Sequence, residues 1–252
     1  MKKSTFLTLL AAVILSGLSA QARKVPAEAL GTVSYDIHYN WGIINTKVAD
    51  AAISFEKEAW QGHAAYHSHA AIKSTPVFSL FIGSDYIADT WIAQSDLEPL
   101  FFINPFKKNG QEGKFEYTYD ASHKVIASVT VLDPNQPAEE KDFPYDGHTM
   151  DLLSLLHYIR FVDISEGSKP IKLSLLMGGK AFAAKLSHKG VDEEKYPGQK
   201  AEHLLLEMTE RGLMDNGSGN ELQIWRSAGE DRRLFGLEAP LSVGFMSVSI
   251  SQ

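Results

Sequence analysis

The stretch Thr32-Val33-Ser34-Tyr35-Asp36-Ile37-His38-Tyr39 puts Val33, Tyr35, Ile37 and Tyr39 at alternate positions, with a polar residue between each pair. Side chains of an extended chain point to opposite faces with a period of two, so this run reads as a strand with one apolar and one polar face. The pattern recurs at Ala51, Ile53 and Phe55, at Phe115, Tyr117 and Tyr119, at Val125, Val129 and Val131, and at Ile171, Leu173, Leu175 and Met177. Half-buried strands of this kind belong to antiparallel sheets.

Turn residues fall between these runs at hairpin spacing: Asn109-Gly110, Asp120 to His123, Gly178-Gly179 and Asn216 to Asn220. Further strands are expected over 64–73, 84–93, 97–104, 180–188, 200–209, 221–227 and 241–250, the last with a bulge near Phe245. Roughly ten to twelve strands would curl or close rather than stay flat. One segment departs from the pattern. Leu152, Leu155, Leu156 and Ile159 follow helical spacing, with Thr149 as N-cap and Asp151 in the first turn, which predicts one short helix over 149–161. A polar, proline-punctuated excursion from Asp133 to His148 precedes it. The expected fold is all-β and mainly antiparallel: a strongly curved sheet or partly open barrel with one short helix. A two-sheet β-sandwich is the alternative.

The first 22 residues read as a cleavable signal peptide: Lys2 and Lys3, an apolar run from Phe6 to Leu15, and Ala20-Gln21-Ala22 before Arg23. Residues 23–252 are then expected to form a single β-rich domain, periplasmic or secreted. No later apolar run approaches the roughly 20 residues of a transmembrane helix. The chain has no cysteine, which excludes disulfides and an acylated cysteine anchor. Its formal net charge of −7 disfavours nucleic acid as a partner.

Three stretches together resemble a family of bacterial envelope proteins catalogued as domain of unknown function 3108. They are Tyr35 through Trp41 to Ile44, Asp151-Leu152-Leu153-Ser154 with His157-Tyr158-Ile159-Arg160, and Trp225 through Asp231-Arg232-Arg233 to Gly244. The resemblance spans nearly all of the chain after the signal. It implies an envelope β-protein, similar to the curved-sheet lipoprotein carriers, and assigns no catalytic residue.

No nucleophile elbow, phosphate loop, zincin helix or dinucleotide fingerprint is present, and no cofactor is called for. His63, His67 and His69 fall at even steps on an expected strand, so their imidazoles share one face and are candidate zinc or copper ligands. Alternatively they only fill polar positions on a solvent-facing strand. Trp41, Phe78, Phe81, Trp91, Phe101, Phe102 and Phe106 load the first half of the sheet with more apolar surface than one helix covers. The leading reading is therefore a non-enzymatic envelope protein that binds an apolar or amphipathic, lipid-like small molecule. Its lining would be Trp41, Phe78, Phe81, Trp91, Phe101 and Phe102, and Tyr158 and Arg160 would anchor an anionic headgroup. An assembly protein that engages another envelope component is the alternative. A metal-dependent or hydrolytic enzyme is the third reading.

Overall fold

Period-two alternation becomes strand wherever it occurs in the computed structural model, which describes residues 24–76, 86–108, 111–131, 137–145, 147–208 and 220–251. The expected signal peptide lies outside the described residues, as do Phe78 and Phe81. The first eight strands are β1 (Gly31–Trp41), β2 (Ile44–Trp60), β3 (His63–Ser74), β4 (Tyr86–Ala93), β5 (Pro99–Lys108), β6 (Gln111–Asp120), β7 (Val125–Val131) and β8 (Glu139–Pro144). A three-residue strand, β9 (Thr149–Asp151), runs directly into the helix α1 (Leu152–Phe161). The chain ends with β10 (Ile171–Met177), β11 (Lys180–Asp192), β12 (Ala201–Met208), β13 (Glu221–Ser227), β14 (Leu234–Pro240) and β15 (Phe245–Ile250).

All fifteen strands belong to one sheet, in the order β8-β7-β6-β5-β4-β3-β2-β1-β15-β14-β13-β12-β11-β10-β9. The arrangement is two meanders joined where β1 pairs with β15, with Tyr35 opposite Ile250. A single sheet replaces the sandwich alternative. Its edges are β8 and β9, and only residues 145–148 separate them in sequence. Fifteen strands laid flat would put those edges about 65–70 Å apart at the usual strand spacing. A four-residue link reaches only about 18 Å. The sheet must therefore roll up. It does so without hydrogen-bonding its edges, because β8 pairs only with β7 and β9 only with β10. The β9–β10 edge tucks against the inside of the first meander instead: Leu176 joins a core with Phe102, Tyr117, Ile126 and Phe143. The Gly178-Gly179 turn reaches the same wall, where the Gly179 amide donates to Tyr117 Oη at 3.1 Å.

Three strands escape sequence reading: β8, β14 and the short β9, which helical spacing assigned to the helix. β8 carries Glu139, Glu140, Lys141, Asp142 and Pro144, the charges and proline that protect an exposed edge, and so resembles a loop. β14 contains Gly236 and Pro240. Gly236 is required there, since a Cβ would lie 2.3 Å from Val248 O and 2.4 Å from Tyr196 Oη. The segment expected as one bulged strand over 241–250 is a turn followed by β15.

The helix starts three residues later than the spacing suggests. Thr149 pairs with Ser174 in the parallel β9–β10 ladder, and Asp151 is the N-cap, accepting from the Leu153 and Ser154 amides at 3.0 and 2.8 Å. Helix α1 runs inside the rolled sheet, and eight of its ten residues are buried. Its last turn is held by Arg226, which is 0% exposed. That guanidinium donates to the carbonyls of Ile159, of Arg160 (3.1 Å) and of Val162 (3.1 Å), and pairs with Glu202 at 2.8 Å. Arg232 shares Glu202. A cation on the last carbonyls of a helix satisfies orphan acceptors and complements the helix dipole. The same end is sealed by the 3₁₀ turn Ala27–Ala29, with Val25, Phe55, Tyr66, Ile92, Leu97 and Phe161 packed together.

Replacing Arg226 by Met leaves three buried carbonyls and a half-paired Glu202. Urea unfolding is expected to show a loss of about 3–5 kcal/mol; an unchanged midpoint would show that Arg226 does not hold the helix.

Candidate functional site

Asp151, Ser154, His157 and Arg160 recur every three residues and form a polar seam along α1, all of it buried. Asp151 closes one end. Beyond the two helix amides it accepts from Thr90 Oγ1 at 3.1 Å and Tyr119 Oη at 3.3 Å. Burial pushes its carboxyl up, and these hydrogen bonds pull the other way. Burial, and then the Asp151 charge, push the Tyr119 hydroxyl up as well. Arg160 closes the other end. It donates to the carbonyls of Arg232, Ala29 and Asp231 at 3.2–3.3 Å and lies 4.8 Å over the Phe161 ring.

Between them, His157 stacks on Phe55 with ring centroids 3.9 Å apart, and its Nε2 lies 2.7 Å from Ser68 Oγ. Ser68 Oγ lies 2.7 Å from Ser54 O. A carbonyl only accepts, so the hydroxyl proton goes to Ser54 and His157 Nε2 must be the donor. The histidine therefore holds Ser68 as an acceptor and does not prepare it as a nucleophile. The seam is a packing device.

A second cluster lies where the sheet overlaps itself. Glu98 accepts from Tyr145 Oη at 2.6 Å and lies 3.5 Å from His148 Nδ1. Burial raises the Glu98 carboxyl, but the His148 and Tyr145 contacts outweigh it and leave it below its usual range. Tyr158 packs against the His148 ring, and burial, with Glu98 nearby, pushes its hydroxyl up to about 12. Its Oη is buried with no hydrogen-bond partner among the described residues.

The other side of α1 is apolar and incompletely covered. Leu152 and Leu156, one turn apart, are its only residues that are not buried. Half-buried Tyr39, Ile72, Phe182, Leu222, Leu237 and Met246 pack against the same core. Strand directions put most of them at one end of the sheet. Tyr39 precedes the β1–β2 turn, Phe182 follows the β10–β11 turn, Met246 follows the β14–β15 turn, and Leu222 is the second residue of β13. Asp151 pairs with Leu176, beside the β10–β11 turn, so α1 begins at that end and finishes at the sealed one. Among the described residues the rolled sheet is thus plugged at one end and lined by half-buried apolar side chains toward the other.

The structure divides the residues that the sequence grouped as a lining. Phe102 faces inward and stacks on Tyr117 at 5.2 Å, and Tyr158 and Arg160 are also inside. Trp91 alternates with buried Thr90 and Ile92 and therefore faces outward. There it stacks with Trp60 at 4.3 Å and His67 at 4.4 Å, while Phe101 stacks on Trp60 at 4.9 Å. Trp41 is 55% exposed at the tip of β1, and Phe106 lies on Phe115. Sequence reading missed Leu152, Phe182, Leu222 and Met246, which show only as ordinary strand and helix positions until the topology gathers their ends.

His67 and His69 do share a face. His67 Nε2 and His69 Nδ1 both lie 2.8 Å from Asp89 Oδ1, and His67 Nδ1 lies 3.0 Å from Glu58. His63 stands opposite Trp60 at the exposed start of β3. The two inner imidazoles are thus engaged with carboxylates, and no three His, Cys, Asp or Glu side chains among the described residues are grouped so as to hold a metal ion. No helix among the described residues is long and apolar enough to cross a membrane.

Residues 34–248, from β1 to β15, match the family described as protein of unknown function (DUF3108). The chain belongs to that family. Among solved structures, this DUF3108 chain is similar to the crystal structure of a beta-barrel-like protein of domain of unknown function DUF1849 from Brucella abortus. The TM-score is 0.53 at 11% sequence identity, over 92% of this chain and 98% of that one. At that identity the likeness is one of fold. No curated protein matches the DUF3108 chain.

Burial, and then the Arg160 charge, hold the His157 imidazole well below its ordinary value of 6.5. Below pH 6.5 the unfolded chain therefore binds a proton that the folded chain does not, and stability falls by about 1.4 kcal/mol per pH unit until the folded-state value is reached. Urea unfolding between pH 5 and 7.5 is expected to show this slope, and His157→Gln to be flatter by that amount. Equal slopes would mean that His157 is protonated within the fold.

Proposed function

We propose that this DUF3108 protein is an exported envelope protein, periplasmic or secreted, that binds an apolar or amphipathic small molecule at the end of its rolled sheet opposite the Arg226 plug. The observation that carries the reading is the asymmetry of the interior. One end is closed by Arg226, Arg232, Glu202 and the N-terminal turn. Toward the other, Tyr39, Phe182, Leu222 and Met246 from separate strands are half-buried and pack against the same core as Leu152 and Leu156 of α1. Ligand sites are concave and mostly apolar with few polar groups, and they occur in the mouths of rolled sheets and barrels. The basic start, apolar run and small-residue cleavage pattern of residues 1–22 support export.

The seam gives no support to hydrolysis, since the Ser68 hydroxyl is buried and its proton is committed to Ser54. The ligand is expected to be held by shape and burial. Each side chain covered by it contributes about 1–3 kcal/mol.

A fluorescent fatty acid titrated into the detergent-free protein tests the reading. Leu222→Glu and Met246→Glu place charges at the end opposite the plug and are expected to weaken binding at least tenfold. Ile87→Asp, on the convex face, is expected to leave it unchanged. Equal affinity in all four proteins, or no binding by wild type, would remove that end as the site.

A further inference from the structure

Seven large apolar side chains are exposed among the described residues, and five of them sit in two neighbouring turns. Trp41 (55%), Ile43 (104%) and Ile44 (44%) form the β1–β2 turn; Val243 (51%) and Phe245 (37%) belong to the β14–β15 turn. The turns are held side by side. Asn40 stands opposite Phe245 in the β1–β15 ladder, and Tyr39 Oη donates to Val243 O at 3.1 Å. Gly244 permits this approach. It has φ +74, and a Cβ there would lie 2.1 Å from Asn40 O and 3.2 Å from Trp41 Cβ.

Turn apices ordinarily take Gly, Asn, Asp, Ser or Pro. Ile43 at an apex, touching nothing, has no role in the fold. Isolated exposed apolar residues are ordinary, but a contiguous group marks an interaction surface. We infer that the paired β1–β2 and β14–β15 turns form an apolar knuckle that inserts into the interfacial layer of a lipid bilayer.

The observations favour a bilayer over a protein for two reasons. Five side chains on two protruding turns are far fewer than the roughly 20–30 residues that each side of a stable protein interface contributes. The group also combines a tryptophan, which settles at the membrane–water interface, with aliphatic side chains that go deeper. The knuckle adjoins half-buried apolar residues of the interior: Tyr39 lies two residues from Trp41 on β1, and Met246 follows Phe245. The inference stands on the exposed turns alone and does not require that the interior hold a ligand.

Charge plays little part. Lys47 is tied by Asp36 at 2.9 Å and Asp50 at 2.6 Å, and Lys195, which lines a groove with Asn40 and Phe245, is paired with Glu238. Binding is therefore expected on uncharged lipid and to persist at high salt, unlike the attraction of basic clusters to anionic headgroups.

Flotation with phosphatidylcholine vesicles tests this, with brominated lipid as a quencher of tryptophan fluorescence. Wild type is expected to float and to be quenched, equally at low and high salt. Ile43→Asp/Val243→Asp is expected to lose at least tenfold in partitioning while keeping its circular dichroism and its affinity for the fluorescent fatty acid without vesicles. Val191→Asp, at an exposed apolar residue remote from the turns, is expected to float as wild type does. The inference is overturned if wild type stays with the soluble fraction, which would leave the turns to a protein partner. It is equally overturned if the double variant floats undiminished, or if flotation requires anionic lipid.

Discussion

Four residues, 145–148, join the two edges of a fifteen-stranded sheet, and the rest of the architecture follows from that short link. An open sheet of that width cannot have its edges bridged by so few residues, so it rolls. Rolling creates an interior, and β9 leads the chain into it. The helix that follows must then bury polar groups at both of its ends, where four amides and four carbonyls lack intrahelical partners. Asp151 at the start and Arg226 at the finish supply them, each 0% exposed. A carboxylate at the positive end and a guanidinium at the negative end also fit the dipole, so the placement reinforces itself.

The same design explains why the interior is uneven. Polar partners for a buried helix need a dense shell, and the shell is built at one end from Glu202, Arg226, Arg232 and Arg160 with the N-terminal turn over them. A short helix cannot fill the whole rolled sheet. Its ten residues rise about 15 Å, from the β10–β11 turn beside Asp151 toward the sealed end. The apolar residues toward the opposite end are half-buried, and the neighbouring turns carry the exposed knuckle. One end of the molecule thus carries the buried ion pairs, and the other the exposed apolar side chains.

Much of this was legible in the sequence. Alternation gave β1, β6, β7 and β10, the leucine spacing gave α1, and Gly178-Gly179 behaved as a tight turn, with φ of +56 and +71. What could not be read was whatever depends on the partners across the sheet. Residues Glu139 to Pro144 look like a loop because an edge strand has one neighbour and needs little apolar content. Thr149 looks like a cap because Asp151, two residues on, carries no sign of its four donors. Trp91 and Phe101 looked like lining because aromatic content says nothing of face. Their parity with Thr90 and Ile92 does, once the inside is known. The resemblance drew on Tyr35 to Ile44, on Asp151 to Arg160 and on Trp225 to Gly244. It therefore covers the plug and its shell and also the paired β1–β2 and β14–β15 turns.

The account turns on whether the end opposite the plug carries a molecule. Native mass spectrometry of the protein purified without detergent from the cells that produce it addresses that directly. The account predicts a discrete added mass that survives a chelator, is extracted by organic solvent and is absent from the Met246→Glu variant. A bare polypeptide mass from wild-type protein, or an adduct retained undiminished by that variant, would contradict it.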